Sequence, residues 1–303
     1  MPSPQITAFL VAVVDLALGG FISNGFIVAV IVTEWAKSRT LATSEQLLSL
    51  GMSNVCVTVL LTAFLINYFL VDDFGNHLML QFLYLFATFV IFSRFWLTAW
   101  LCVFYCIKIV NSTQSLFLWC KLRISKLVPW LLVGSQVFSL VLSFFAMQNK
   151  HIQRQSNTAV NNTNVTQGKT QPDLASSFKV FFLITGSGCS LLVVLISSVV
   201  VVASLCRHVC KMSGKEPNLW SLQTEAHIKA AGTVLSLLIL YISFYVAHTL
   251  IVTADFEKIQ KKFALLVCSA VMMMYSPAQA IILVLVNPKL KQTATRMLPR
   301  TKP

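Results

Sequence analysis

Charged residues are scarce in this chain of 303 residues, because Asp, Glu, Lys and Arg make up only 11% of it, against about 25% in a typical soluble domain. So few charges cannot cover a water-facing surface, which excludes a soluble enzyme. Glycine and proline are also few, with 11 and 9 residues, which excludes a collagen-like chain. The 22 phenylalanines and the hydrophobic fraction of 56% exclude disorder. The remaining class is a protein that crosses the membrane several times.

Acidic residues are scarcer than basic ones, with 10 Asp and Glu against 23 Lys and Arg, so the net charge is +13. The basic residues lie in short clusters between apolar runs, which favours a membrane surface over nucleic acid as their counterpart. The sequence also lacks HExxH, GxSxG and glycine-rich phosphate-loop motifs, and no apolar run contains a pair of carboxylates. We therefore expect no enzyme activity.

None of the eight cysteines lies in the long polar segment, since all are inside apolar runs or beside their basic ends. This distribution gives no disulfide framework. Cys206, His208 and Cys210 have a metal-like spacing without a fourth ligand, so buried or membrane-flanking thiols are the better interpretation. We expect neither a metal nor another cofactor.

What the chain has in abundance is long apolar runs, each of about 20 residues or more, which is enough to cross about 30 Å of hydrocarbon as a helix. Runs this continuous predict helices and not barrel strands. The sequence therefore predicts an all-α membrane protein, a seven-transmembrane helix bundle that forms one domain over 1–303, with an extracellular loop at 148–177 and a cytoplasmic tail at 287–303. The predicted spans are approximately 6–32, 47–70, 80–108, 127–147, 178–205, 228–253 and 263–286.

Loop charges predict the direction of these spans. Most Lys and Arg follow spans one, three and five or lie in the tail, so the positive-inside rule places the amino terminus outside and the carboxyl terminus in the cytoplasm of a plasma-membrane protein. Two glycosylation sequons, at Asn161 and Asn164, fall in the predicted extracellular loop, and we expect them to be used. A third, at Asn111, falls on the cytoplasmic side and should be unused.

Polar residues within the predicted spans are candidate functional or packing residues, because a polar side chain in lipid is costly without a partner. Arg94 lies in the middle of span three, at a depth similar to that of Asn24 and Asn54 in spans one and two. We expect Arg94 either to join these amides in a structural polar knot or to contact a ligand. Asp15 is too far towards the outside for direct pairing. The two amides either switch the bundle or make ordinary interhelical hydrogen bonds, worth about 0.6 kcal/mol on average.

Span six carries Tyr241, Phe244, Tyr245 and His248 at helical spacing, so their side chains share one face. Such a face either packs in the core or lines a pocket. His248 is predicted near the outer surface, where an unperturbed imidazole titrates near neutral pH.

A transporter or channel is the alternative from another functional class. A coupled transporter usually shows repeated halves and interrupted helices, and a channel needs polar stripes along a pore. Neither pattern is visible in the seven runs, so the sequence supports neither a transporter nor a channel.

One long segment, WLTAWLCVFYCIKIVNSTQSLFLWCKLRI from Trp96 to Ile124, resembles the end of helix three and the following loop of the bitter taste receptors, the type 2 taste receptor family of G-protein-coupled receptors. Other segments resemble helices one, two, six and seven of that family in the right order: GFISNGFIV, LLSLGMSNV, AHIKAAGTVLSLLILY and VNPKLKQT. The resemblance covers essentially the whole chain. A pheromone-type chemoreceptor is the alternative within the receptor class, and the FYCIKI run favours bitter taste.

The resemblance implies that an outer cavity binds small bitter compounds and that the cytoplasmic end activates a gustducin or Gi-type Gα with its βγ subunits. The ligand contacts it implies are Ala87, Thr88, Ile91, Phe244, Tyr245, His248, Ser269 and Met272. The structural or switch positions are Asn24, Asn54, Arg94 and Tyr241. The positions for G-protein coupling are Tyr105, Lys108, Lys121, Arg123, His227 and Lys229. The alternative role for the basic positions is to anchor the orientation of the helices in the membrane. The sequence leaves open whether the receptor is a dimer.

The chain also departs from the family pattern. The family usually has an arginine where this chain has Asn54 and a small residue where it has Arg94. We therefore hypothesise that the two positions face each other and that the charge has moved between helices within the same polar knot. The family's His-Ser pair on helix seven is replaced by Gln279 and Ala280, so the inner contact of that pair is not carried over.

Overall fold

A computed structural model of the chain describes residues 4–37, 42–70, 77–110, 115–162, 180–212, 217–253 and 258–297. Within these residues the regular elements are helices. They are α1 (Pro4–Lys37), α2 (Ala42–Leu70), α3 (His77–Ile109), α4 (Ser115–Asn162), α5 (Cys189–Met212), α6 (Pro217–Thr253), α7 (Lys258–Val286) and α8 (Pro288–Met297), with a π-helical stretch at Ile184–Gly188 that leads into α5.

Seven of the described helical segments are long and apolar enough to cross a membrane, which confirms the predicted seven-helix bundle. Their bounds differ from the predicted ones by only a few residues, because the apolar runs end where charged and amide residues begin. The candidate spans are Thr7–Ala36, Gln46–Ile66, Gln81–Ile107, Lys126–Gln148, Val180–Arg207, Gly232–Thr253 and Ala264–Val286.

Two segments beyond the spans are helical although they contain no long apolar run. α4 continues through Asn162, so the first half of the predicted loop at 148–177 is helix. No glycine or proline interrupts that half, and adding residues to an existing helix is much easier than nucleating one. In the tail, the side chain of Asn287 accepts hydrogen bonds from the backbone N–H of Lys289 at 3.1 Å and of Leu290 at 3.5 Å, which caps α8.

α3 is the central helix of the bundle. It contacts α2, α4, α5 and α6, and α1 closes the bundle against α2 and α7. In the most apolar stretch of α3, 67% of the residues are buried, compared with 28% in the corresponding stretches of α1 and α4. Side chains on α3 therefore face the interior in most directions, so a polar residue on this helix must find its partners inside the protein.

The interior has two main hydrophobic regions. An aliphatic cluster joins α1, α2, α3, α4 and α7 and includes Ile27, Leu50, Leu101, Leu132 and Leu283. An aromatic cluster on α3, α6 and α7, to which α4 and α5 add one buried residue each, includes Phe92, Phe95, Tyr241, Phe244 and Tyr275. Between α1, α2 and α7 the helices approach closely, because a Cβ on Gly20 would lie 3.3 Å from both Ser276 Cβ and Thr58 Oγ1. Small residues permit such approaches between membrane helices.

Gly186 in the π-helical stretch gives the first test of this packing. A Cβ at this position would lie 2.5 Å from the ring of Phe92 on α3, and overpacking of this kind costs about 1–3 kcal/mol. We expect Gly186→Ala to lower the melting temperature of the detergent-solubilised protein. Gly134→Ala is the matched control, because a Cβ there meets no atom within 4 Å. Equal melting of the two variants would contradict the contact between Gly186 and Phe92.

Candidate functional site

A network of buried amides and hydroxyls, which we call the polar knot, joins α1, α2 and α7 through Asn24, Asn54, Thr58, Ser276 and Gln279. The amide of Asn54 donates to Asn24 Oδ1 and to Gln279 Oε1, each at 2.9 Å. The amide of Asn24 donates to the carbonyl oxygen of Ser276 at 3.2 Å, and Thr58 Oγ1 lies 3.2 Å from Ser276 Oγ. All five side chains are buried. Asn24 and Asn54 therefore contact each other as predicted, and Gln279 is a further member of the network.

The polar knot extends to α3 through two hydroxyls. Gln279 Nε2 donates to Tyr275 Oη at 3.0 Å and to Thr98 Oγ1 at 3.4 Å, and the two hydroxyl oxygens lie 3.2 Å apart. One side chain of α7 thus connects the amide of Asn54 with α3. Each interhelical bond is worth about 0.6 kcal/mol on average in a membrane, but removing a shared member leaves buried partners unsatisfied, at about 1–3 kcal/mol each.

Arg94 does not belong to the polar knot, and the expectation that it joins Asn24 and Asn54 is wrong. Its guanidinium carbon lies 4.2 Å from the ring centroid of Tyr275 and 4.7 Å from that of Phe244. The hypothesis that the charge has moved from the position of Asn54 within one knot falls with it. Depth in the membrane does not determine the direction of a side chain: Arg94 is directed towards α6 and α7, and Asn54 donates instead to Asn24 and Gln279.

The guanidinium of Arg94 is buried without a counter-ion in the described part of the chain. The residue is 1% exposed, and Nε, Nη1 and Nη2 have no hydrogen-bond partner there. Of the two carboxylates in the candidate spans, that of Asp15 faces outward and that of Glu34 lies 3.7 Å from Lys289 Nζ. An arginine at the centre of a membrane helix costs at least about 2.5–3.5 kcal/mol. A desolvated cation–π contact returns about 2 kcal/mol, but it supplies no acceptor for the N–H groups.

Phe95 is the centre of the aromatic cluster and was missed in the sequence. Its ring centroid lies 5.5 Å from that of Tyr241, 5.1 Å from Phe244, 6.3 Å from Tyr245 and 5.5 Å from His248. The four side chains predicted to share one face of α6 therefore meet on a single ring of α3. A signal for Phe95 was available, because the buried residues of α3 in this cluster recur at helical spacing: Phe92, Phe95, Ala99 and Cys102.

The residues at the two ends of this α6 face, Tyr241 and His248, make further contacts. The hydroxyl of Tyr241 lies 2.7 Å from Ser190 Oγ, which connects α6 to α5. His248 is only 8% exposed and lies edge-on to Phe92 and Phe95, with centroids 6.5 and 5.5 Å away. The rings of α3 cover His248 within the bundle, and its position near the outer surface of the membrane stays a prediction. Its Nδ1 has no hydrogen-bond partner among the described residues.

The other predicted ligand residues are divided between the cluster and its outer margin. Met272 belongs to the aromatic cluster, and Ile91 packs against it. Ser269 is buried on α7. Ala87 and Thr88 are half-buried, and the Thr88 hydroxyl donates to a backbone carbonyl of its own helix at 2.7 Å.

The rings of the aromatic cluster fill the space between α3, α6 and α7. Two concavities in the described part of the chain lie elsewhere, on outward faces of the bundle. One, between α3 and α4, is lined by Leu85, Leu140, Val141, Phe144 and Phe145. The other, between α2 and α4, is lined by Ser49, Pro129, Leu132, Val133, Gln136 and Val137. Neither contains a predicted ligand residue.

The residues predicted to couple to a G protein are described only in part. Tyr105 is half-buried beside Phe104, with ring centroids 6.2 Å apart. Arg123 is exposed, and its guanidinium lies 5.2 Å from the ring centroid of Trp119. Four further positions lie on described helices, but their side chains are outside the described part: Lys108, Lys121, His227 and Lys229. The side chain of Asn161 and all of Asn164 are likewise outside it.

The polar knot gives the second test. Replacing Asn54 by Leu, which has a similar volume, removes the donor that Asn24 Oδ1 and Gln279 Oε1 share. We expect the free energy of unfolding in detergent to fall by about 1–3 kcal/mol. Ser53→Ala, one position earlier, is the control, because Ser53 Oγ is buried without a partner in the described residues. If the two variants unfold alike, the amide network does not stabilise the bundle.

Comparison with known proteins identifies the family. The profile of the taste receptor protein (TAS2R) family matches residues 1–302. Taste receptor type 2 member 1 of Chlorocebus aethiops is 32% identical over 306 aligned residues, which cover 100% of this chain and 99% of the relative. Member 41 of Rattus norvegicus is 31% identical over 82% of each chain. Member 40 of Gallus gallus is 29% identical over 95% of this chain and 93% of its own.

A match along nearly the entire sequence, together with seven apolar helices, leaves one assignment: the chain belongs to the taste receptor type 2 family, the bitter taste receptors among the G-protein-coupled receptors.

Proposed function

We propose that this receptor binds small bitter compounds within the aromatic cluster and activates a gustducin or Gi-type heterotrimeric G protein. The observation that carries the proposal is the contact of Phe95 with the whole predicted ligand face of α6. Aromatic and apolar side chains with a few unsatisfied polar atoms are the usual lining of a small-molecule site. A bitter compound enters by separating these rings, so the described arrangement is the closed one.

A ligand activates such a bundle only through the difference between its affinities for the closed and the active arrangement. Tyr275 supports a route for that change, because it contacts Arg94 at one side and hydrogen-bonds with Gln279 and Thr98 at the other. A compound that displaces Phe244 or Arg94 therefore disturbs a residue bonded to the polar knot. The knot and the aliphatic cluster then transmit the change along α3 and α7 as packed, contiguous elements.

We place the amino terminus outside the cell and the carboxyl terminus in the cytoplasm. Six basic side chains support this, all exposed and all on one side of the membrane by the order of the spans: Arg123, Lys126, Arg207, Lys289, Lys291 and Arg296. Such a row suits the anionic cytoplasmic leaflet. The same side carries the coupling positions Tyr105, Lys108, Lys121, Arg123, His227 and Lys229. Anchoring to anionic lipid is the competing role for the basic ones.

Glycosylation tests the orientation. With the amino terminus outside, we expect enzymatic removal of N-glycans to shift the receptor on a gel, because Asn161, in the last turn of α4, and Asn164, after it in the chain, are then on the lumenal side. The double variant Asn161→Gln with Asn164→Gln should abolish the shift. Asn111→Gln is the internal control and should leave it unchanged. A shift that depends on Asn111 reverses the topology.

Phe95→Leu tests the ligand site in cells that contain a chimeric gustducin-type Gα and a calcium indicator. Phe95 lies at the centre of the site, so a compound that has separated the rings contacts the ring of Phe95, and an aromatic contact is worth about 0.5–1.5 kcal/mol beyond its area. We therefore expect the concentration of bitter agonist for half-maximal response to rise about tenfold in Phe95→Leu. Phe82→Leu on the same helix is the control, because Phe82 faces outward at 68% exposure. An unchanged response in Phe95→Leu at equal surface expression contradicts the site.

A further inference from the structure

Arg94 is surrounded by residues of the proposed ligand site and lacks an acceptor for its N–H groups. Phe244 and Tyr275 cover it at 4.7 and 4.2 Å, but an aromatic ring offers a guanidinium a quadrupole and no lone pairs. No carboxylate of the described residues takes that role, because Asp15 faces outward and Glu34 pairs with Lys289. The candidate spans therefore offer Arg94 no free carboxylate.

A second unsatisfied polar group lies in the same cluster. His248 Nδ1 is buried without a partner in the described residues, and His248 lies one helical turn from Phe244 on α6. Phe95 contacts both rings, with centroids 5.5 Å from His248 and 5.1 Å from Phe244. An imidazole nitrogen either donates or accepts, and a guanidinium only donates. Both groups can therefore hydrogen-bond with an oxygen-rich group, and the side chains that contact them are aromatic.

We propose that Arg94 binds the anionic group of the agonists, and that this receptor prefers small amphiphiles with an apolar body and one carboxylate, sulfonate or sulfate. The planar guanidinium matches two oxygens of such a group with two parallel hydrogen bonds. When the agonist binds, its apolar body replaces contacts that the rings of the aromatic cluster make with one another in the closed arrangement. This inference rests on the proposed function, since it names the ligand class for the same site.

The proposal predicts an order of potency among compounds that share one apolar body. An acid gains charge-assisted hydrogen bonds, which are roughly twice as strong as neutral ones. The corresponding primary amide has one acceptor oxygen and no charge. The corresponding amine adds a second positive charge beside Arg94 in a medium of low dielectric constant, where like charges repel strongly. Acids should therefore be the most potent, amides weaker and amines weakest.

The test measures calcium responses of the full-length receptor to matched series of acid, primary amide and amine on aromatic, bicyclic and alkyl bodies. We expect the acids to act at concentrations about tenfold or more below those of the amides, a difference of about 1.4 kcal/mol. Arg94→Met should abolish the difference while responses to amides persist. Arg94→Lys should keep a smaller preference, because an ammonium does not form the bidentate pair. Lys289→Met is the control, since it removes an exposed basic residue and should leave the preference intact.

The outcomes separate this inference from the function on which it rests. Responses to amides or amines that equal those to acids overturn the anion preference and leave the receptor assignment standing. A preference for acids that survives in Arg94→Met at the cell surface also overturns it. Silence of the surface-expressed wild type towards every series counts against both the proposed function and the inference. If neither Arg94 variant reaches the surface, the comparison of series on the wild type decides.

Discussion

The hydrogen bonds of one amide, that of Asn54, organise the interior of this receptor. A membrane offers no water to a buried amide, so each donor and acceptor must be satisfied by the protein. Asn54 on α2 donates to Asn24 on α1 and to Gln279 on α7, and Gln279 in turn donates to Tyr275 and Thr98. Helices that are distant in sequence are therefore held at one rotation and one depth. The apolar packing around them is compatible with several rotations, whereas the directional bonds are not.

Tyr275 places the polar and aromatic regions in contact. Its hydroxyl is bonded in the polar knot, and its ring lies under Arg94 and 5.0 Å from the ring centroid of Phe244. The bundle therefore places a charge that is attracted to aromatic rings beside a network of hydrogen-bonded amides. Arg94 remains outside the knot because its guanidinium is directed towards the rings of Tyr275 and Phe244.

The spans could be read from the sequence, and the partners of the polar residues could not. Length and apolarity alone locate the helices, and the spacing of Tyr241, Phe244, Tyr245 and His248 correctly groups them on one face. The rotation of α3 about its own axis could not be predicted, because most of its residues are apolar and hydropathy therefore does not indicate which side faces which neighbour. The predicted pairing of Arg94 with Asn54 failed for that reason, and the role of Phe95 was missed. The extension of α4 to Asn162 was missed because its residues are polar and carry no apolar period.

The close approach at Gly20 determines how tightly α1 packs against its neighbours. Because this residue of α1 has no side chain, the side chains of Ser276 on α7 and Thr58 on α2 come close to its backbone, and the amide of Asn54 bonds to α1 and α7 as well. The same three helices are thus joined twice, by van der Waals contact at Gly20 and by directional bonds at Asn54, whereas α6 lies along α7 and meets α3 through edge-to-face aromatic rings.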